Sequence, residues 1–244
     1  MSILQFKDWL ETPQGRYLLA WEQAELDRVV ADIFGYYAVQ LGLPQVPLLG
    51  ANRMPHRVVC APEDADVRAN AFELPFATAS LDLVVLPHVL EFSPHPHRVL
   101  REVERVLVPE GRVVISGFNP ASWWGFRQGR ARLWERTGMD DGSGLYLPDA
   151  GEFIGPWRLR DWLRLLSFEI ESDRYGCYRP AVRTEKWLQR MAWMDRAGAR
   201  WWPVFGAVYF VVAVKRVRGM RVLGPAWKPR RAKAAAPVPV ANRH

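Results

Sequence analysis

His88 stands directly after Leu81–Pro87, and Glu91 follows three residues on. The run before it, LDLVVL, is apolar at every position but Asp82, as a strand buried on both faces would be. An imidazole at the end of such a strand can act as a general base when a substrate proton comes within hydrogen-bond reach. Beside Pro87 it can equally be a structural side chain. Asn119 closes a second apolar run, Arg112–Phe118 (RVVISGF), where it either fixes backbone or touches a substrate. Gln40 and Gly42 end a β-prone stretch, and Asn70, Ala71 and Phe72 precede an ELPF loop at Glu73–Phe76. His95 and His97 lie two apart in a proline-bounded loop without Cys or acid ligands nearby, so they make a poor metal set.

The elements that would position these residues are clearest between Glu73 and Pro120. After the Leu81–Leu86 strand, Ser93-Pro94 or His95-Pro96 opens a helix, because proline is tolerated in a first turn. Leu100, Val103, Val106 and Leu107 form its apolar stripe, and Arg101, Glu102, Glu104 and Arg105 are expected to face water. Pro109-Glu110-Gly111 is read as a turn ending that helix before Arg112–Phe118. Strand, helix and strand make a βαβ unit, so the sheet is parallel and the crossover right-handed. Such sheets bind ligands at the carboxyl ends of their strands. That places a site near Gly42, Asn70–Phe72, Leu86–Leu90 and Gly117–Asn119, all in loops that follow strands.

Upstream, residues 16–34 carry apolar positions at helical spacing, with Thr12 and Pro13 to start the helix and Gly35 to stop it. Tyr36–Leu41 and Arg57–Cys60 read as strands, and Asp66–Ala69 as a very short third one. Only five residues separate Cys60 from Asp66, too few for the usual parallel crossover of about ten or more. Downstream, residues 121–156 show little periodicity and read as an insertion. Arg158–Leu166 is a helix, and Phe168–Arg174 and Ala207–Arg216 can pair as an antiparallel edge. Trp187, Leu188, Met191 and Met194, at helical spacing, are expected in the core.

At 244 residues with nearly half of them apolar, the chain can build a sizeable core. The first residues show no long apolar core, so a secretory signal is not expected. Cys60 and Cys177 are two isolated thiols, which fits a cytoplasmic protein better than a disulfide framework. The longest apolar run, Trp201–Val214, is interrupted by Pro203 and Gly206 and is too short to span a bilayer. Its neighbouring tryptophans leave an interfacial membrane contact open. The net charge of +7 comes from the end of the chain: Lys215–His244 holds nine Lys/Arg and no acid, and the rest is nearly neutral. That Pro-, Ala- and Arg-rich tail is either a solubilising segment or a weak electrostatic contact for nucleic acid or anionic lipid.

Glu73–Pro120, with ELPF, the Asp82-containing strand, HVLEF, LREVERVLVPEG and RVVISGFNP, resembles the class I S-adenosylmethionine-dependent methyltransferases of the type-11 kind. The resemblance implies an α/β, Rossmann-like fold: a mostly parallel seven-stranded sheet in the order 3-2-1-4-5-7-6, an antiparallel C-terminal edge and helices on both faces. Leu81–Leu86 would be strand 4 and Arg112–Phe118 strand 5. S-adenosylmethionine would lie across strands 1, 2 and 4, against Gln40, Gly42, Glu63, Asn70, Ala71, Phe72, Leu86 and His88, and His88 would be the catalytic candidate. The family's acid-x-Gly-x-Gly-x-Gly loop aligns with Gln40, Gly42, Pro44 and Val46, so one glycine is kept and the acid is an amide. The strand-2 acid is replaced by Cys60, with Glu63 and Asp64 close behind.

The expected organisation is an N-terminal helical segment (1–35), a methyltransferase-like domain (36–216, with the insertion at about 121–156) and a basic tail (217–244). Two functions stay open. One is a methyltransferase acting on a small molecule or RNA. The other is a non-catalytic module that uses the fold to bind a partner.

Overall fold

The computed structural model describes residues 3–137, 145–148 and 153–216; the basic tail beyond Arg216 and part of the 121–156 segment lie outside the described residues. Two helices, α1 (Ile3–Leu10) and α2 (Pro13–Val30), precede strands β1 (Tyr37–Leu41), β2 (His56–Ala61), β3 (Val67–Arg68) and β4 (Leu81–Pro87). Then come α3 (Val89–Phe92), α4 (Pro96–Val106), β5 (Leu107–Phe118), α5 (Trp123–Thr137) and α6 (Pro156–Leu165). The chain continues through β6 (Phe168–Gly176), α7 (Glu185–Arg190), α8 (Trp193–Trp201), a 3-10 turn (Pro203–Phe205) and β7 (Val208–Lys215). The seven strands form one sheet in the order β3-β2-β1-β4-β5-β7-β6. The pairs from β3 to β5 are parallel, and β7 is antiparallel to both β5 and β6.

Both faces of the sheet are covered, which is why its central strands are apolar without alternation. Ala38, Leu83, Val85, Val114 and Phe210 pack with α1, α2 and Trp124 of α5 on one face. Val39, Leu41, Val84, Leu86 and Ile115 pack with the Val99–Val106 stripe of α4 and with Leu159 and Leu163 of α6 on the other. The short Cys60–Asp66 link is accommodated by shrinking β3: only two residue pairs join it to β2, Cys60 with Val67 and Ala61 with Arg68.

Local chemistry sets the ends of the elements that matter for the site. Thr12 caps α2, its Oγ1 accepting from the Gly15 N–H at 3.2 Å, with Pro13 in the first turn. The other end of α2 is received by Asn52, whose Nδ2 donates to the carbonyls of Val30 and Ile33. Asp82 Oδ2 accepts from the N–H groups of Tyr36 and Tyr37, tying the entry of β1 to β4. Lys215 at the end of β7 donates to the carbonyls of Glu104 and Leu107, a cation on the C-terminus of α4.

The structure departs from the sequence pattern in several places. Glu102 and Arg105 turn inward to the ELPF loop: Arg105 donates to the carbonyls of Leu74 and Phe76, and Glu102 accepts from the Leu74 N–H. Pro109–Gly111 is a bulge within β5, with Glu110 at φ 66°, between the Leu81/Leu107 and Leu83/Arg112 pairs. Of the four residues expected in the core at 184–194, only Leu188 is buried; Trp187 is exposed, and Met191 and Met194 are partly so. The segment is helical, but α7 and α8 are short: α7 packs on α2 and α8 on the edge strand β6, where one residue per helix suffices to fasten them. The low periodicity of residues 123–137 also hides a helix, α5, which buries Trp124 and Gln128 and leaves Trp123 and Phe126 outside.

Trp21 of α2 lies flat against the backbone of Gly176, the last residue of β6, where any Cβ would run into the indole ring. Gly176→Ala is therefore expected to lower stability by about 1–3 kcal/mol through overpacking, measured as a shift in the urea midpoint. An unchanged midpoint would mean that α2 is not anchored there.

Candidate functional site

The carboxyl ends of β1, β2 and β4 open into a mostly apolar cavity of about 140 Å³. Cys60, Ala61 and Pro62 form one wall, Asn70, Ala71 and Phe72 a second, and Gly42, Leu43 and His88-Val89 the floor. Phe6 of α1 and Phe92 close the far end. An apolar cavity of this size holds one aromatic ring. Arg98 lies over the outer face of Phe72, 4.9 Å from its centroid, and pairs with Glu73 at 3.0 Å, so α4 holds the wall as well as the ELPF loop.

Gly42 has φ +78°, and a Cβ there would meet Val89 at 3.3 Å. This is the one place in the loop where glycine is required by both conformation and space. Gln40 is fully buried and organises the loop after β1. Its Nε2 donates to the carbonyls of Gly42, Leu43 and Val46, and its Oε1 accepts from the Leu48 N–H. An amide can do this and a carboxylate cannot, because three of the four partners are acceptors. The Gly42 N–H is itself bonded to the Cys60 carbonyl at 2.8 Å. The loop has thus turned its polar groups upon itself.

His88 is completely buried in left-handed conformation (φ 55°, ψ 11°). Its Nδ1 lies 2.9 Å from Glu91 Oε2 and its Nε2 lies 2.9 Å from Glu22 Oε1 of α2. The rings of Phe6 and Phe118 sit against it, with centroids at 5.1 and 4.4 Å. Glu91 Oε1 accepts from the Phe118 N–H, which joins α3 to β5. Among the described residues Glu22 Oε2 finds no hydrogen-bond partner. Burial alone would lower the imidazolium's affinity for its proton, but the two carboxylates overcome it and push the His88 pKa up to about 10. Burial raises the Glu91 carboxyl, against the opposing pull of His88 and the Phe118 N–H. With a carboxylate at each ring nitrogen, His88 carries protons on both at neutral pH.

The sequence-derived candidates therefore separate into groups. Gly42, Asn70, Ala71, Phe72 and His88 come together around one cavity. Gln40 supports the loop beneath it. Leu86 is fully buried in the face that packs on α4, and Glu63 is exposed after β2, away from the cavity lining. Asn119 uses its side chain on backbone, donating to the carbonyls of Val204 and Gly206 and accepting from the Ala121 N–H. Phe6 and Glu22 were not identified from the sequence. Glu22 sits within an amphipathic helix whose partner surface only the tertiary structure reveals.

Residues 49–115 match the family model described as a methyltransferase domain. The uncharacterized protein YafS of Escherichia coli (strain K12) is 30% identical over 165 residues, 66% of this chain and 65% of that protein. A demethylmenaquinone methyltransferase of Bacillus velezensis is 40% identical over 62 residues, 25% of this chain and 27% of the enzyme. The chain thus spans just under two thirds of the first relative and about a quarter of the second. Among solved structures, an S-adenosylmethionine-dependent methyltransferase from Archaeoglobus fulgidus superposes with a TM-score of 0.55 at 16% identity, covering 81% of this chain and 94% of its own.

The His88 clamp has a pH signature. The folded pKa of about 10 lies above the ordinary value of roughly 6.5. Its stabilisation is therefore complete below about pH 6.5 and is lost as pH rises toward 10. Urea midpoints measured from pH 6 to 10 should fall on the alkaline side, and Glu22→Gln, which removes one carboxylate, should flatten that fall. The same slope in Glu22→Gln and in the wild type would refute the clamp.

Proposed function

We propose that this member of the class I S-adenosylmethionine-dependent methyltransferases transfers a methyl group to a small apolar or aromatic acceptor bound beside His88. The observation that supports the reading is the continuous apolar cavity from Cys60–Phe72 to His88, at the carboxyl ends of β1, β2 and β4. Its chemistry fits the adenosyl end of the cofactor: a ring-sized space between Ala61 and Phe72, the polar side chain of Asn70 at its mouth, and a glycine where the backbone must come close. When bound, S-adenosylmethionine supplies an activated methyl group on sulfur, so the protein has to orient and shield rather than activate.

His88 and its neighbours would supply orientation and proton handling. Glu22 occupies Nε2, the ring nitrogen that faces α2, and Phe6 occupies the space beside it. An acceptor O–H or N–H that takes the place of the Glu22 carboxylate would meet Nε2 directly, while Glu91 keeps Nδ1–H and the ring orientation fixed. Losing the Glu22 carboxylate also lowers the proton affinity of the imidazole, which converts it from a held cation to a base. Helices α1 and α2 then act as the cover of the acceptor site. Phe6, Phe92 and Phe118 around His88 favour a small apolar acceptor over RNA.

The test is calorimetry with S-adenosylmethionine and S-adenosylhomocysteine. One molecule should bind per chain, and Ala71→Trp, which fills the cavity from a half-buried position, should abolish the heat without altering the melting temperature. No heat at millimolar ligand with the fold intact would sink the proposal and leave a binding module on a methyltransferase fold, the reading that the self-satisfied Gln40 loop favours.

A further inference from the structure

The structure assigns a membrane-docking surface to the end of the domain where α5 begins and α8 ends. On α5, Trp123, Phe126, Arg130 and Leu133 recur at helical spacing and are exposed, with Trp123 at 62% and Phe126 at 64%. The helix buries Trp124 and Gln128 on one side and keeps a second apolar stripe outward. Asn119 ties the carbonyls of Val204 and Gly206 to the loop that leads into α5. The end of α8 and the 3-10 turn thus come beside Trp123 and add Trp201, Trp202, Val204 and Phe205, all exposed. So many large apolar side chains exposed at one end of a domain mark an interaction site.

The charges among them indicate what docks. Among the described side chains of α5, Arg130 is exposed and Arg127 and Arg132 are partly exposed. On α7 and α8, Lys186, Arg190, Arg196 and Arg200 outnumber Glu185 and Asp195. Asp195 is turned inward, bonded to the Tyr17 hydroxyl and to Arg179. Tryptophan and phenylalanine interleaved with arginine is the composition of a surface that inserts rings at the lipid headgroup level and meets anionic phosphates with cations. A second copy of the chain is a poor occupant, since a two-fold interface through this surface would set arginine against arginine. Leu133 and Val204 among the rings add aliphatic surface that fits hydrocarbon, and that stacked bases would not use. No helix among the described residues is long and apolar enough to cross a membrane, so the contact is interfacial. It also lies at the Asn119 end of β5, on the edge of the sheet that carries His88.

The experiment is flotation of the full chain with phosphatidylcholine vesicles that contain about one third phosphatidylglycerol, read together with tryptophan emission. The protein should float with the anionic vesicles, shift its emission to the blue, and bind pure phosphatidylcholine or high-salt samples far less. The double variant Trp123→Ser with Phe126→Ser should lose at least tenfold in partitioning while its circular dichroism is unchanged. If that variant misfolds, Trp201→Ser with Phe205→Ser provides the same readout from the other side of the surface. Absence of flotation overturns the assignment. So does partitioning that survives a folded variant, which would place the contact elsewhere, for example in the basic tail. Binding of single-stranded RNA without binding of vesicles, or a dimer that either variant dissociates in the absence of vesicle binding, overturns it as well.

Discussion

A histidine sealed between two carboxylates holds this domain in its described form. His88 ends β4, Glu91 begins the link to β5, and Glu22 belongs to a helix 66 residues upstream. Removing water from three ionisable groups is costly unless each finds a partner, and truncating one of them would leave an uncompensated charge in the interior. The cluster therefore acts as a specificity device more than as a source of stability. It lets α1 and α2 dock in one place only, with Phe6 against His88 and Trp21 on Gly176. The unpartnered Glu22 Oε2 shows where that arrangement is weakest, at the α2 side of the trio.

The central sheet was legible because its signals were local. LDLVVL and RVVISGF are unbroken apolar runs bounded by turns, and the stripe of α4 fixes which side of that helix faces them. The full strand order followed from the resemblance carried by Glu73–Pro120, and the sheet agrees with it down to the antiparallel edge. The reason several spaced motifs occur together is visible in the contacts. Glu102 and Arg105 of the LREVER helix hold the ELPF loop, which directly follows the Asn70–Phe72 wall of the cavity, so the helix motif and the loop motif are two halves of one constraint. Residues read as solvent-facing charges are in fact the bracket of the site.

The parts that were not legible depended on distant partners. Gln40 looked like a weakened ligand, and nothing local could show that its amide gathers three carbonyls of the loop it precedes. A loop that carries Pro44 and Val46 after Gly42 needs an internal donor to hold its shape, and glutamine provides it where an acid would repel the same carbonyls. The Glu22–His88 contact was equally hidden, since α2 reads as an ordinary amphipathic helix until its docking surface is known.

The aromatic periphery obeys a different logic from the core. Placing Trp187, Met191 and Met194 in the interior assumed that apolar residues at helical spacing must be buried. That holds only when the helix lies over the sheet, whereas α7 packs on α2 and α8 on the edge strand β6. Their outward tryptophans, and those of α5, sit in a solvent they disfavour, a cost that folding alone gives no reason to keep. Arginines placed among them keep the surface soluble and would also repel a second copy of it. An apolar surface that discourages self-association but not binding to an anionic interface differs from a packing defect.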